Sequence, residues 1–333
     1  MSPELFSVAE VAEKIAAGKK LLLAGDEQLL AELPAGDWIG GTTPYFMANH
    51  HGLFTKQKIF VTELPEYLAG IRIKVYDAAS VAQCYNDAPA HGFSFIIIPA
   101  SCNTHFAFAL NAPDFENFAM RPLIGWIAGV HLDEIWQVQP KVYAGPERRE
   151  LTDGAVIMHV SLPLNKVADI GVTNMFEQGE GDTITFETPG FSAREAFVNG
   201  TRVNFRDYIQ EQRLDIKLPL VSDYSGVMVN VSFLQKIGPH GEISFYAPVF
   251  SGVEYKHAKP VHNYIEQFVR NSSGAVGVQI IVSCNCVFNY VYSGYKNSDV
   301  LYTSGPFTFG EIAYQLLNQT MVYLRIINIP GKG

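Results

Sequence analysis

The chain has 333 residues, 48% of them hydrophobic, 12% aromatic and only 17% charged, with 24 basic residues against 33 acidic and a net charge of −9. So apolar a chain can bury a sizeable core, which excludes wholesale disorder. The acidic balance argues against nonspecific binding to nucleic acid or to an anionic membrane, because both need clustered Lys and Arg.

In chain order, Ser7 to Ala17 carries apolar residues at helical spacing (Val8, Val11, Ala12, Ile15) and ends at Gly18. Leu21 to Ala24 reads as a short buried strand. Asp26 is a candidate N-cap for a helix over Glu27 to Leu33, and Trp38 to Thr43 is a strand running into a glycine-rich bend. Ile71 to Val75 is a strand and Ala78 to Ala88 a helix. Phe93 to Pro99 (FSFIIIP) is a continuous apolar run, as expected of a strand buried on both faces.

Beyond it the pattern turns β-rich. Leu123 to Ala128, Glu134 to Val142, Ala155 to Leu162, Leu164 to Val172 and Thr183 to Phe186 are strand candidates. Ser192 followed by Glu195 makes a capping box, so Ser192 to Gln212 reads as partly helical, split into two helices at Asn199-Gly200. Strands follow at Gly226 to Leu234 and Glu242 to Pro248, then a helix over Pro260 to Arg270 and a strand over Ala275 to Ser283. A helix over Phe309 to Leu317 and a strand over Thr320 to Ile329 close the chain. The pattern predicts an α+β (mixed α/β) fold of two related halves, with mixed β-sheets flanked by helices and domains over 1–163 and 164–333.

The case for related halves is an internal echo. Two aliphatic strands end in Ser-Cys-Asn, at Ser101-Cys102-Asn103 and Ser283-Cys284-Asn285. Two glycine turns flanked by aromatics and threonines, Gly40 to Phe46 and Gly305 to Glu311, look related as well.

The four cysteines (Cys84, Cys102, Cys284, Cys286) are few for this length, and a reduced cytoplasmic protein is expected. Met1 to Lys20 has no continuous apolar core, so no signal peptide is expected. No run approaches the roughly 18 apolar residues of a membrane span. GxGxxG, GxxxxGK[ST], HExxH and CxxC are all absent, so neither a nucleotide cofactor nor zinc is expected. His50-His51 cannot point the same way on regular structure.

Cys102 follows a buried strand, and His105 lies three residues on. A thiolate activated by imidazole, from His105 or His131, would make a cysteine-dependent hydrolase or amidase. The bland reading of Cys102 is a buried, inert thiol. Asn103 and Asn285 can offer donors and an acceptor to a small polar ligand or simply cap a turn. Thr42 and Thr43 can present hydroxyls to a carboxylate or only shape a bend. Glu311, expected at a helix start, could bind an amine. Tyr290, Tyr292 and Tyr295, with Trp126 and Trp136, could wall a pocket or fill the core, and aromatics could also form a homo-oligomer face.

The ordered set of short motifs resembles the FIST family of sensory domains. Its C-terminal part is matched by Ser283-Cys284, the run Ser304 to Ile312 and Leu317-Asn318-Gln319-Thr320. Its N-terminal part is similar to Trp38 to Thr43, Ile124 to Gly129, Val142-Tyr143 and Asp153 to Val156. Two departures stand out. Pro44 replaces the family's glycine, and Asn285-Cys286-Val287 stands where a basic residue often follows. The resemblance implies a stand-alone sensor of small ligands, with amino acids suggested, signalling through a partner; it carries over no catalytic residue. The expected ligand set is Thr42, Thr43, Cys102, Asn103, Trp126, Cys284, Asn285, Tyr292 and Glu311.

Overall fold

The chain builds one strand pattern three times. The computed structural model describes residues 4–48, 51–135, 137–224, 226–237, 241–261, 280–292 and 303–329. The first unit holds β1 (Leu5–Phe6), α1 (Val8–Ala16), β2 (Leu21–Gly25), α2 (Glu27–Ala31), β3 (Trp38–Thr42), β4 (Tyr45–Ala48), β5 (His51–Phe54) and β6 (Ile59–Glu63). The second holds β7 (Gly70–Tyr76), β8 (Gly92–Pro99), α3 (Asn103–Asn111), β9 (Leu123–Ala128), β10 (Val142–Ala144), β11 (Arg149–Leu151) and β12 (Ala155–Ser161). The third opens with β13 (Lys166–Asn174) and is then interrupted by an insert. That insert comprises β14 (Ile184–Thr185), β15 (Gly190–Ala193), β16 (Glu195–Val198), β17 (Thr201–Asn204), α4 (Phe205–Glu211), β18 (Leu220–Tyr224), β19 (Val227–Val231), β20 (Phe233–Ile237), β21 (Ile243–Val249) and β22 (Tyr255–His257). The third unit resumes with β23 (Ile280–Cys286), α5 (Val287–Tyr292), β24 (Gly305–Thr308), β25 (Glu311–Ala313), β26 (Gln315–Leu317) and β27 (Thr320–Asn328).

The three units form three six-stranded sheets, ordered β1-β6-β2-β3-β10-β11, β7-β12-β8-β9-β25-β26 and β13-β27-β23-β24-β4-β5, and the insert adds a six-stranded sheet β17-β16-β14-β22-β18-β19 and a three-stranded sheet β15-β21-β20. Each of the three unit sheets has the same succession of pairings: two antiparallel, one parallel, two antiparallel. In every one of these three the last hairpin comes from another unit. The first unit gives β4–β5 to the third sheet, the second gives β10–β11 to the first, and the third gives β25–β26 to the second. The mixed-sheet α+β class stands, strand-rich, while the repetition is of three units closed in a ring where the sequence echo suggested two halves. The point near Pro163-Leu164 falls between β12 and β13.

Period-two alternation explains the core. Phe93, Phe95 and Ile97 face a central cluster with Leu22, Ala24 and Ile39 of the first sheet and Val282, Cys284, Val322 and Leu324 of the third. Ile96 and Ile98 face the opposite way, into a second cluster under α3 and the insert. Both faces of β8 are therefore dry, as its apolar run predicts. The insert has a core of its own around Ile184, Phe186, Phe205, Phe233, Phe245 and Tyr255.

α1 forms where the helical spacing places it, and the structure adds a reciprocal capping box: Ser7 and Glu10 each accept from the other's backbone N–H. Several expectations are corrected. The helix over Phe309 to Leu317 is the hairpin β25–β26. A tight hairpin pairs Ile312 with Leu316, four residues apart, so its spacing imitates a helix, and Tyr314 turns the chain at φ 63°. Ser192 to Gln212 is mainly strand, because Asn199 (φ 48°) and Gly200 (φ 81°) make a tight hairpin turn, and only α4 is helical. Ala78 to Ala88 keeps one 3-10 turn, Val81–Gln83. There Asp87 is held by Tyr76 (2.8 Å) and Lys74 (2.5 Å), bonds that a continued helix would break. Of the strand expected over Glu134 to Val142, Glu134 ends a 3-10 turn, Leu132–Glu134, and only Val142 is in a strand, at the start of β10. Residues 262–270 and 275–279, with His50, Trp136, Tyr295 and Tyr302, lie outside the described residues. Among the described residues, no helix is long and apolar enough to cross a membrane.

Candidate functional site

The ends of β3, β9 and β24 meet in a ring. Sheet register aligns Gly40, Gly125 and Gly305: the incoming hairpins place Tyr143, Ile312 and Met47 opposite them. Four residues on, at equivalent points, Gly129 N–H donates to Thr42 O (2.8 Å) and Phe309 N–H donates to Ile127 O (3.0 Å). The third such bond would run from residue 44 to Phe307 O, but Pro44 has no N–H. The Thr43 hydroxyl donates to Phe307 O instead, at 2.7 Å. The Pro44 departure and the second threonine of the turn thus belong to one device.

A cavity of about 560 Å³ opens beside this ring, at the C-terminal end of β8. Its floor is Ser101, Cys102, Asn103, His105 and Asp153, one side is Val130, Ile135, Val138, Gln139 and Pro140, and its roof is Phe191, Ser192, Leu234 and Ser244 to Tyr246 of the insert. A second cavity of about 270 Å³ lies at the equivalent end of β2, lined by Asp26, Thr42, Thr43, Lys56, His131 and Glu134. Val130, Val138 and Gln139 line both.

Ser101 turns the chain with φ 61°, a left-handed conformation uncommon for a residue with a side chain. Cys102 then caps α3, its sulfur accepting from His105 N–H (3.3 Å) and donating to Pro99 O (3.1 Å). Asp153 covers the start of α3, accepting from Thr104 N–H (3.0 Å), the Thr104 hydroxyl (2.8 Å) and Asn103 Nδ2 (2.8 Å). Partial burial pushes the Asp153 carboxyl up, and these donors more than offset it, leaving it below its ordinary value.

Burial pushes the Cys102 thiol up to about 11 and the His105 imidazole down to about 4. The pair is a neutral thiol beside a neutral imidazole. His105 Nδ1 accepts from Ser101 N–H at 3.1 Å, which places the ring proton on Nε2. His131 belongs to the second cavity, stacked on Tyr45 with centroids 5.7 Å apart. Neither histidine is hydrogen-bonded to the Cys102 sulfur through its ring, so the geometry lacks an activated nucleophile there.

The other predicted residues disperse. Thr42 and Thr43 line the second cavity, but Thr42 Oγ1 accepts from Lys141 N–H (3.0 Å) and Thr43 closes the ring. Trp126 is central core, 2% exposed, and lines neither cavity. Tyr292 stacks on Phe288 at 5.3 Å near the surface. Cys284 is core and donates to Gly125 O (3.3 Å). Asn285 is fully buried, accepting from Asn289 Nδ2 at 2.7 Å.

Glu311 stands in β25, at no helix start, and is wholly buried. Burial pushes its carboxyl up to about 8, although the Thr308 hydroxyl (3.0 Å) and the Thr320 hydroxyl (2.9 Å) and N–H (3.2 Å) all donate to it. It ties β24 and β27 to the donated hairpin and lines neither cavity. The shared site at two Ser-Cys-Asn turns does not form.

The reading of the sequence missed Asp153, Phe191, Ser192, Ser244 and Tyr246. Only the turn Asp153-Gly154 left a signal. The roof residues sit on ordinary strands of the insert and reach the cavity through tertiary packing. No curated protein matches this chain. Residues 6–327 match a family of unknown function, DUF6976, and because that match covers nearly the whole chain, the protein belongs to this family.

Proposed function

We propose that this protein is a small-ligand-binding sensor, holding a small polar ligand of amino-acid size between α3 and the insert and signalling through a partner protein. One observation carries the reading: the cavity of about 560 Å³ is walled by two parts of the chain with separate cores. Occupancy is thereby coupled to how the insert sits on the second unit, which is how a ligand becomes a signal. The resemblance to FIST sensory domains supports the same reading. The neutral thiol at Cys102 argues against the hydrolase alternative. A reducing cytoplasm suits the four free cysteines.

Thermal-shift measurement with amino acids, their amides and small carboxylates at millimolar concentration tests the proposal. A ligand at a hundred times its Kd adds about 2.7 kcal/mol of stability, a shift of several degrees. Ser244→Trp, which fills the cavity, is expected to abolish that shift while the free protein still melts cooperatively. A silent panel, or a shift that survives Ser244→Trp, sinks the reading.

A further inference from the structure

We propose that the cavity takes an uncharged aromatic ligand, which binds by displacing Phe191 and offering a carbonyl oxygen or ring nitrogen to the Nε2–H of His105; this rests on the binding reading above. His105 is 5% exposed and belongs to the cavity wall. With Nδ1 occupied by Ser101 N–H, its Nε2 is a donor, and that donor has no hydrogen-bond partner. An orphaned buried donor is rare in native proteins and costly.

What packs on the imidazole instead is aromatic. Phe106 lies 5.5 Å away and Phe191 5.4 Å, and these two rings are 4.8 Å from each other. A ring face is a weak acceptor at best. Phe191 is the movable member. It comes from the insert, and the β15–β21 ladder shifts register between Gly190 and Ser192, at Phe191 itself. The partners step from Val249 to Ser244 across it, so the extra residues are on β21 and Phe191 has no paired residue in this ladder. A ligand ring in its place would keep the aromatic contacts and add the acceptor that Phe191 lacks.

Charge decides the class. Among the described lining residues there is no Lys or Arg, and Asp153 is the one carboxylate. An anionic ligand would meet that carboxylate with no cation in compensation. A cationic ligand would find its only counter-charge already accepting from Thr104 and Asn103.

Calorimetric titration of the whole chain with benzamide, benzoate and benzylamine tests the inference. Benzamide is expected to bind about tenfold tighter than either charged analogue. His105→Asn keeps an oxygen near the Nδ1 position for Ser101 N–H and removes the Nε2 donor, so benzamide should weaken about tenfold. His105→Gln, with an amide N–H near Nε2, should retain most of the affinity. Phe191→Ala, which removes the competing ring, should tighten binding. A readout needing no variant is the His105 Nε2–H resonance of 15N-histidine-labelled protein, expected to move on saturation with benzamide.

The inference is overturned if benzoate or benzylamine equals benzamide. It is equally overturned if His105→Asn leaves the affinity unchanged, if Phe191→Ala weakens binding, or if the resonance stays still at saturation. Stabilisation by amino acids with no benzamide binding removes this inference and leaves the sensor reading standing; silence from every compound removes both.

Discussion

The ends of β8 and β23 carry the same three residues and use them in opposite ways. In the second unit the strand stops at Pro99, Ser101 swings the chain round, Cys102 caps α3 and Asn103 reaches Asp153, all at the floor of a cavity. In the third unit Ser283, Cys284 and Asn285 are still inside β23, each no more than 2% exposed. Ser283 Oγ donates to Ser304 O (2.7 Å), and Cys284 packs in the central core. Register explains the divergence. Gly305 lies against Ser283 as Gly125 lies against Ile96, so Ser283 corresponds to Ile96, and the motif of the second unit is offset by five positions (101 − 96). A short motif acquires a role only through its place on the sheet: beyond the strand end it can meet solvent and ligand, and within the strand it is structure.

The strongest test of this register is steric. A β-carbon on Gly125 would lie 1.8 Å from Ile96 O, and one on Gly305 2.0 Å from Ser283 O, whereas at the corresponding Gly40 the nearest atom, Leu23 O, is 3.3 Å away. Gly125→Ala and Gly305→Ala are expected to cost about 4 kcal/mol or more, or to prevent folding, and Gly40→Ala about 1 kcal/mol. Urea unfolding of the three variants measures it; losses at Gly125 and Gly305 no larger than at Gly40 would mean that these glycines do not sit against Ile96 and Ser283 as the register has them.

Glu311 gives the next largest effect. Its folded value of about 8 lies above the ordinary 4.5, so the folded state favours the protonated acid. The resulting stability is full below about pH 4.5, declines as pH rises towards about 8 and levels off above, a loss on the order of a few kcal/mol. Glu311→Gln should flatten the profile across that window. Parallel profiles for wild type and variant would show that Glu311 does not titrate as its burial demands.

The ring of strand ends makes a smaller, sharper prediction. Thr43→Val removes a donor to Phe307 O at the place where Pro44 has no N–H to give, and should cost about 1–3 kcal/mol. Pro44→Ala restores an N–H, so its effect should be more favourable in the Thr43→Val background than in wild type. A double-mutant cycle with no coupling would sever the two. Smallest is the reactivity of Cys102: with the thiol raised to about 11, iodoacetamide near neutral pH should modify it more slowly than free cysteine. Rapid selective modification would reopen the hydrolase reading.

Much of the first two units was legible because their elements announce themselves locally. The helical spacing of Val8, Val11, Ala12 and Ile15, the run from Phe93 to Pro99 and the Asp26 cap all predict what forms. The errors fall where two geometries share one spacing. Residues four apart lie together on a helix and also across the tight β25–β26 turn, and Ser192 with Glu195 fits a capping box although Asn199-Gly200 builds a hairpin. For the site, Cys102, Asn103 and His105 were found at a strand end facing a cavity, while Trp126, Cys284, Asn285 and Glu311 went to the interior, a distinction that depends on which sheet closes over them.

The sequence by itself determined the mixed α+β class, the acidic and aromatic character, and the glycine turns at which strand ends meet, because local propensity, alternation and composition act within a few residues. The tertiary structure alone decided that the units number three, that each lends a hairpin to another's sheet, and that the insert roofs the cavity above His105. Those features rest on pairings between residues more than a hundred positions apart, such as Phe46 with Pro306 and Trp126 with Glu311. No local pattern encodes a partner at that distance; packing and register select it.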